Sequence, residues 1–447
     1  MEQFYNRNST CQINGAKKIN FSFTFFCIIL CALIFINDNI LFFVPNFIFV
    51  IILAVVMLFC KKEDFYAVSV CLPLFTNAIQ IVLVMLIGFP IYILKFKPKI
   101  NMILFLPVLL SLVELSHVIL QPFSFVDYAR HVITYFSLFL LLSDLGTLSK
   151  EEIQGIIKKY IFTYIFVMVD ILVQFINKYG SIMFFITHSV RFGYASRESG
   201  MEFGKLFNNE NMIGLYSLIS AGASFFLLFT HKNKILFLMT LLVSCVFGFL
   251  TGSRTFVISL ILLGFIAFWI LLSTKKITQR KKIVILVSSI VVFVAACVAL
   301  YSTVLKNVID RFLDSNSDGN RISIFTDYTN YMIDNPEYTF FGIGIQSVTD
   351  KTGLLDPPHN AVQELFVSMG VAGIILITIM YIYLFIESRN CRKDCLRGIN
   401  LLILLPFLLT IQLIQYVRLP EVFYVTIIAS LPLFFSGEKR ETEEICE

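Results

Sequence analysis

Arginine, asparagine and histidine recur in the polar stretches of this chain at positions that suit one kind of chemistry. Asp356-Pro357-Pro358-His359-Asn360 leads into Ala361-Val362-Gln363-Glu364 and then an apolar run. The paired prolines set an extended entry, which puts His359 and Asn360 at the start of a helix. An imidazole there can accept a proton from a hydroxyl, with Glu364 one to two turns on to hold it. The helix N-terminus lowers its basicity and favours anions nearby. The other reading of a lone histidine is a hydrogen-bonded structural residue. Thr251-Gly252-Ser253-Arg254-Thr255 fills a very short gap between two apolar runs. Arg254 is either a helix-end arginine reaching for water or an anion ligand, with Gly252 and Ser253 adding donors. Arg191, Arg197 and Lys205 precede Asn208, Asn209 and Asn211. That stretch reads as a plain loop with an asparagine cap, or as a wall of cationic and amide donors for phosphate and hydroxyls.

The elements that must position these residues are apolar helices. The chain has 447 residues, 57% of them hydrophobic and 15% charged, with mean hydropathy +0.83. That charge content is well under the roughly 25% of a soluble domain. Apolar runs recur at lengths that suit a bilayer, which asks for about 20 residues per helix. They fall near 20–37, 41–60, 65–94, 101–120, 130–143, 160–177, 212–230, 235–250, 255–273, 283–302, 365–386, 399–416 and 421–435. Basic clusters mark every second gap: Lys61 and Lys62, then Lys95, Lys97 and Lys99, then Lys150, Lys158 and Lys159, then Lys232 and Lys234, with further groups at 275–282, 389–397 and 439–440. Such clusters mark the cytoplasmic side. Run 65–94 is basic at both flanks, so it crosses twice or dips and returns. Two crossings meeting near Asn77–Gln80 give 14 transmembrane helices, and a dip gives 12. The expectation is an all-α polytopic membrane protein of about 14 helices, range 12–14, forming one membrane domain over 1–447. No signal peptide is expected, since no small-residue cleavage site precedes the first runs.

Two large loops fall on the far side, 178–211 and 303–364. The second contains Arg321-Ile-Ser-Ile324-Phe325-Thr-Asp-Tyr328-Thr-Asn-Tyr331-Met332, whose apolar residues share one helical face. This is read as an amphipathic helix, capped by Asn320 or Asp318, and Arg321 at its start is not explained by packing. Phe341-Gly342-Ile343-Gly344 follows as a tight turn that admits a ligand or other backbone. Gly370 and Gly373 are placed where helices approach closely. Most of the ten cysteines lie in apolar runs or beside basic loops, and no zinc spacing is present. No nucleotide-binding glycine loop is present either. Glu114, His117 and Asp170 lie in or near apolar runs, and intramembrane ionisable groups of this kind leave a secondary transporter or flippase open.

Four motifs in this order resemble the O-antigen polymerase and ligase family. They are Arg197-Glu198-Ser199-Gly200 leading to Asn208 and Asn211, then Gly252-Ser253-Arg254-Thr255, then Arg321 followed by Gly342 and Gly344, then His359-Asn360 followed by Gly370 and Gly373. The chain departs from the family where Asn209-Glu210-Asn211 replaces Asn-Pro-Asn. The resemblance covers about 190–375.

That resemblance implies a glycosyltransferase with a GT-C-like bundle in the bacterial inner (plasma) membrane, its active site on the periplasmic or outer face. It implies a donor glycan on undecaprenyl pyrophosphate, single-displacement inversion, and neither a metal nor another cofactor. His359 is the expected catalytic residue, either as the base for the acceptor hydroxyl or as a group that positions that hydroxyl or contacts phosphate. Arg254, Arg197, Arg321 and Arg191 are the expected pyrophosphate ligands. Asn360, Glu364, Asn208, Asn211 and Ser253 are the expected supporting and acceptor-binding residues. A polymerase passes the glycan to a second lipid-linked repeat unit, and a ligase passes it to the lipid A core. The partners are lipid-linked oligosaccharides and membrane lipids, with a chain-length regulator as a further candidate and no nucleic acid.

Overall fold

A computed structural model describes residues 23–36, 46–76, 78–98, 101–120, 125–181, 191–192, 210–273, 280, 321–345, 348–354, 356–389, 398–416 and 418–435. Regular structure among these residues is entirely helical. The helices are α1 (Phe23–Phe35), α2 (Asn46–Phe59), α3 (Lys62–Phe75), α4 (Ala78–Phe96), α5 (Phe105–Leu120), α6 (Phe125–Ser143), α7 (Lys150–Tyr179), α8 (Glu210–Thr230), α9 (Lys234–Leu250), α10 (Arg254–Ser273), α11 (Arg321–Asp334), α12 (Val348–Thr352), α13 (Ala361–Ser388), α14 (Leu404–Ile411) and α15 (Pro420–Ser430). Five described segments are long and apolar enough to cross a membrane: 78–96, 125–147, 210–230, 254–273 and 361–388. Shorter apolar helices accompany them. The run at 65–94 splits into α3 and α4, with Thr76 extended at the break. The run near 283–302 and the proposed caps Asn320 and Asp318 lie outside the described residues, as does most of the loop 178–211.

Burial, more than hydropathy, separates the helices. In α15 every residue from Val422 to Ser430 is buried, and α8 is buried along most of its length. α10 instead exposes Ile258, Ile261, Phe265, Trp269 and Leu272 at helical spacing, a stripe suited to lipid. The inner helices meet through small hydroxyl pairs. Ser244 donates to Ser220 at 2.8 Å, Ser224 pairs with Thr240 at 2.8 Å, and Tyr164 pairs with Ser217 at 2.7 Å. Such pairs satisfy polar groups in an apolar setting while allowing close approach.

Each end of the bundle carries its own polar network. At one end Ser149 and Glu152 form a capping box that starts α7. There Lys159 Nζ donates to Glu63 at 2.6 Å and to Asp64, and Lys62 pairs with Asp144 at 2.6 Å. Lys61, Lys95, Lys150, Lys232 and Lys234 cluster at the same end through the helix termini they occupy. The other end holds the motif residues.

α13 is broken. Gly370 has φ 66° and ψ −162°, so the helix is interrupted there. The segment 339–344 pairs with the interruption: Ile343 and Gly344 amides donate to the Val367 and Ser368 carbonyls at 2.8 and 2.9 Å, and Val371 and Ala372 amides donate to Thr339 and Phe340 at 2.9 and 3.1 Å. The close approach expected at Gly342 and Gly370 is therefore made by backbone against backbone. A Cβ on Gly342 would lie 2.4 Å from the Met369 nitrogen, and one on Gly370 would lie 2.3 Å from the Phe340 carbonyl.

Candidate active site

Asn360 caps α13, accepting from the Gln363 amide at 3.0 Å. Its Nδ2 donates to the Gln412 carbonyl at 3.0 Å, just past α14. One turn into α13, the buried Glu364 accepts the amide protons of Tyr416 and Arg418, the latter at 2.8 Å. Two side chains of the same helix start thus fix the 412–418 connection. Gln363 reaches the other way, donating to the Phe325 carbonyl at 2.7 Å. That bond, with buried Tyr328 and Met332, seats α11 on α13. The Tyr328 hydroxyl donates to the Asp356 carbonyl at 2.9 Å, which ties α11 to the strap carrying His359.

This packing puts the Arg321 charge within electrostatic reach of His359. His359 is half-buried, and its pKa is lowered from the ordinary 6.5 first by burial and then by the Arg321 charge, with Asp356 acting in the opposite sense. A neutral imidazole faced by a guanidinium is an arrangement suited to taking a proton beside an anion.

Arg254 opens α10 behind Gly252, which has φ 58°, and Ser253, whose hydroxyl accepts from the Phe256 amide at 3.4 Å. The Ser253 hydroxyl also donates to Asn211 Oδ1 at 3.2 Å, which joins this turn to the start of α8. Gly214 permits it, since a Cβ there would meet Ser253 Cβ at 3.1 Å. Arg191 is engaged by protein: its Nε donates to the Thr251 carbonyl at 2.8 Å and its Nη1 pairs with Glu210. With the Phe192 amide on the Leu250 carbonyl at 2.9 Å, it straps the loop to the α9–α10 turn. Arg197 and Asn208 lie outside the described residues.

The Arg254 turn and the His359 strap share one end of the bundle. Thr410 of α14 donates to Ser259 of α10 at 2.8 Å, and Gln412, two residues past Thr410, holds Asn360. α14 is the bridge between them. Beneath, Glu114 lies 2.9 Å from His131 Nδ1 and accepts from Tyr135 at 3.0 Å. His117 Nε2 sits 2.9 Å from the Phe341 carbonyl, which can only accept, so that nitrogen carries the proton.

Residues 239–378 match the family model described as O-antigen ligase. That stretch, under a third of the chain, is what is similar to the O-antigen ligase family. The match supports the resemblance of its motifs to the O-antigen polymerase and ligase family. The O-antigen ligase region takes in Ser253, Arg254, Arg321, Gly342, Gly344, His359, Asn360, Glu364 and Gly370. With its apolar helices and this partial match, the chain is a membrane protein. No curated protein matches it. Among the described residues, no group of three or more His, Cys, Asp or Glu is arranged to hold a metal ion.

The motifs missed two arginines at this end, Arg130 in the first turns of α6 and Arg418 before α15. A signal for them existed: both stand apart from the basic clusters, at the opposite ends of their helices.

Proposed function

We propose that this protein is a membrane glycosyltransferase that joins lipid-linked oligosaccharide repeat units into a surface polysaccharide. The observation that carries the reading is the hydrogen-bonded link through α14 that puts the Arg254 helix and the His359–Asn360 helix start at one bundle end, with the Arg321 charge acting on His359 there. The donor is a glycan on undecaprenyl pyrophosphate. Arg254 and Arg321, with Arg197, neutralise the leaving pyrophosphate, which needs charge stabilisation and no protonation. His359 accepts the proton of the attacking sugar hydroxyl. The hydroxyl oxygen bonds to the anomeric carbon as the bond to pyrophosphate breaks, inverting that centre. Asn360 and Glu364 fix the backbone past α14 against the helix start that follows His359, while Arg191, Ser253 and Asn211 shape the opposing wall. The lysine-rich opposite end supports a cytoplasmic placement for that end, with the site facing the periplasm or the cell exterior.

The test is a reaction of purified protein in detergent with lipid-linked repeat units, without ATP, ion gradient or metal. Wild type yields a ladder of lengthened products, while His359→Ala and Arg254→Ala, inserted and folded, yield none. Normal ladders from either variant would overturn the assignment. A ligase reading is favoured by the description of the matching family. The knockout separates the two: single repeat units on the lipid A core mark a polymerase, and polymer left unattached marks a ligase.

A further inference from the structure

At the bundle end that holds the His359 strap lies a set of polar side chains that the reaction described above leaves unused. Tyr135 of α6 packs its ring on Phe423 of α15, and Ser137 pairs with Tyr424. Both helices run inward from the site end, so they are parallel and in register. Arg130 lies in the first turns of α6, and Arg418 lies two residues before α15 begins. Glu421, in the first turn of α15, faces the charge of Arg130 and the Ala78 amide at the start of α4. These groups do not complete one another. Arg130 Nη2 touches Asp127 at 3.3 Å, but its Nε is buried with no hydrogen-bond partner among the described residues. The same holds for Arg418 Nη1 and Glu421 Oε2. Buried donors and acceptors left open in this way cost stability unless something fills them.

The chemistry of the set narrows the occupant. Two guanidiniums offer donors in a fixed fork, and one carboxylate offers an acceptor. A phosphate would meet repulsion from Glu421. A sugar ring, whose neighbouring hydroxyls both donate and accept, satisfies all three. The location fits as well, because Glu364 holds the Arg418 amide from one turn below Asn360. The Arg418 charge also reaches Tyr328, which is bonded to Asp356 next to the His359 strap.

We infer that Arg130, Arg418 and Glu421 form a carbohydrate subsite that grips hydroxyls of the acceptor sugar and sets its attacking oxygen toward His359. This rests on the glycosyltransferase reading. It adds a sugar-recognition element distinct from the pyrophosphate ligands, at the junction of α6 and α15 and outside the matched region.

The experiment uses the full chain in lipid nanodiscs and two separate probes. One is bare undecaprenyl pyrophosphate. The other is the repeat-unit oligosaccharide released from its lipid carrier in the source cell. Arg418→Lys and Glu421→Gln preserve most side-chain volume, and Arg130→Ala completes the set. The expected result is an oligosaccharide affinity weakened about tenfold or more in each variant, the loss of one charge-assisted bond. Affinity for undecaprenyl pyrophosphate stays at the wild-type value. Unchanged oligosaccharide affinity in all three variants overturns the subsite and leaves the parent reading standing. A parallel fall in both affinities marks a structural role and also overturns it. Wild type that binds neither probe overturns the glycosyltransferase reading itself.

Discussion

Glu364 receives the backbone amide of Arg418 at 2.8 Å, so a carboxylate on α13 anchors the chain that enters α15. It takes the Tyr416 amide as well. Glu364→Ala is expected to leave two buried amides open and cost about 3 kcal/mol or more. Faster proteolysis between 412 and 419, with a lower Tm in detergent, is the measurement. Glu364→Gln keeps one acceptor oxygen and is expected to fall between the two.

Gly342 and Gly370 make the second prediction. Each has positive φ, and each would place a Cβ within 2.5 Å of backbone atoms of the other segment. Gly342→Ala and Gly370→Ala are expected to destabilise the protein by at least about 2 kcal/mol each. The double variant is expected to cost less than the sum, because both break the same pairing. Thermal unfolding of the three variants checks this.

The third prediction concerns pH. Burial and Arg321 hold the His359 pKa below 6.5, and Asp356 works against them. The base is the neutral form, so turnover is retained at neutral pH and lost as pH falls through that lowered value. Removing the positive neighbour relieves the depression: in Arg321→Gln the acid limb moves to higher pH. Asp356→Asn moves it lower still. A rate–pH profile for the three proteins decides, and identical limbs would separate the titration from His359.

Lys159 supplies a contrast from the opposite end. Its ammonium is buried between Glu63 and Asp64. Lys159→Met is expected to destabilise the bundle by about 3–5 kcal/mol, since two carboxylates lose their partner. Residual folded protein keeps wild-type KM. A raised KM would place this network in the catalytic machinery.

Some of this was legible in the residues. The basic flanks of 65–94 called for two crossings or a dip, and the structure breaks the run at Thr76. The apolar face of 321–332 foretold α11, and the prolines before His359 foretold a helix start, which Asn360 caps. Pairing between 339–344 and 367–372 was not legible, because amides and carbonyls are the same in every residue. Glycines signalled that something approached but not what. Arg130, Arg418 and Glu421 were passed over because one charge at the edge of an apolar run looks like a side chain reaching for water. Only the packed fold brings the Arg130 charge to Glu421, three residues on from Arg418.

The four backbone bonds across the break in α13 also limit how such a protein diversifies. A residue gained or lost within 339–344 or 367–372 would shift every rung of that small ladder, and with it the reach of α11 and the His359 strap. Changes in length that retune sugar choice must then fall elsewhere, in stretches free to lengthen without dragging the membrane helix along.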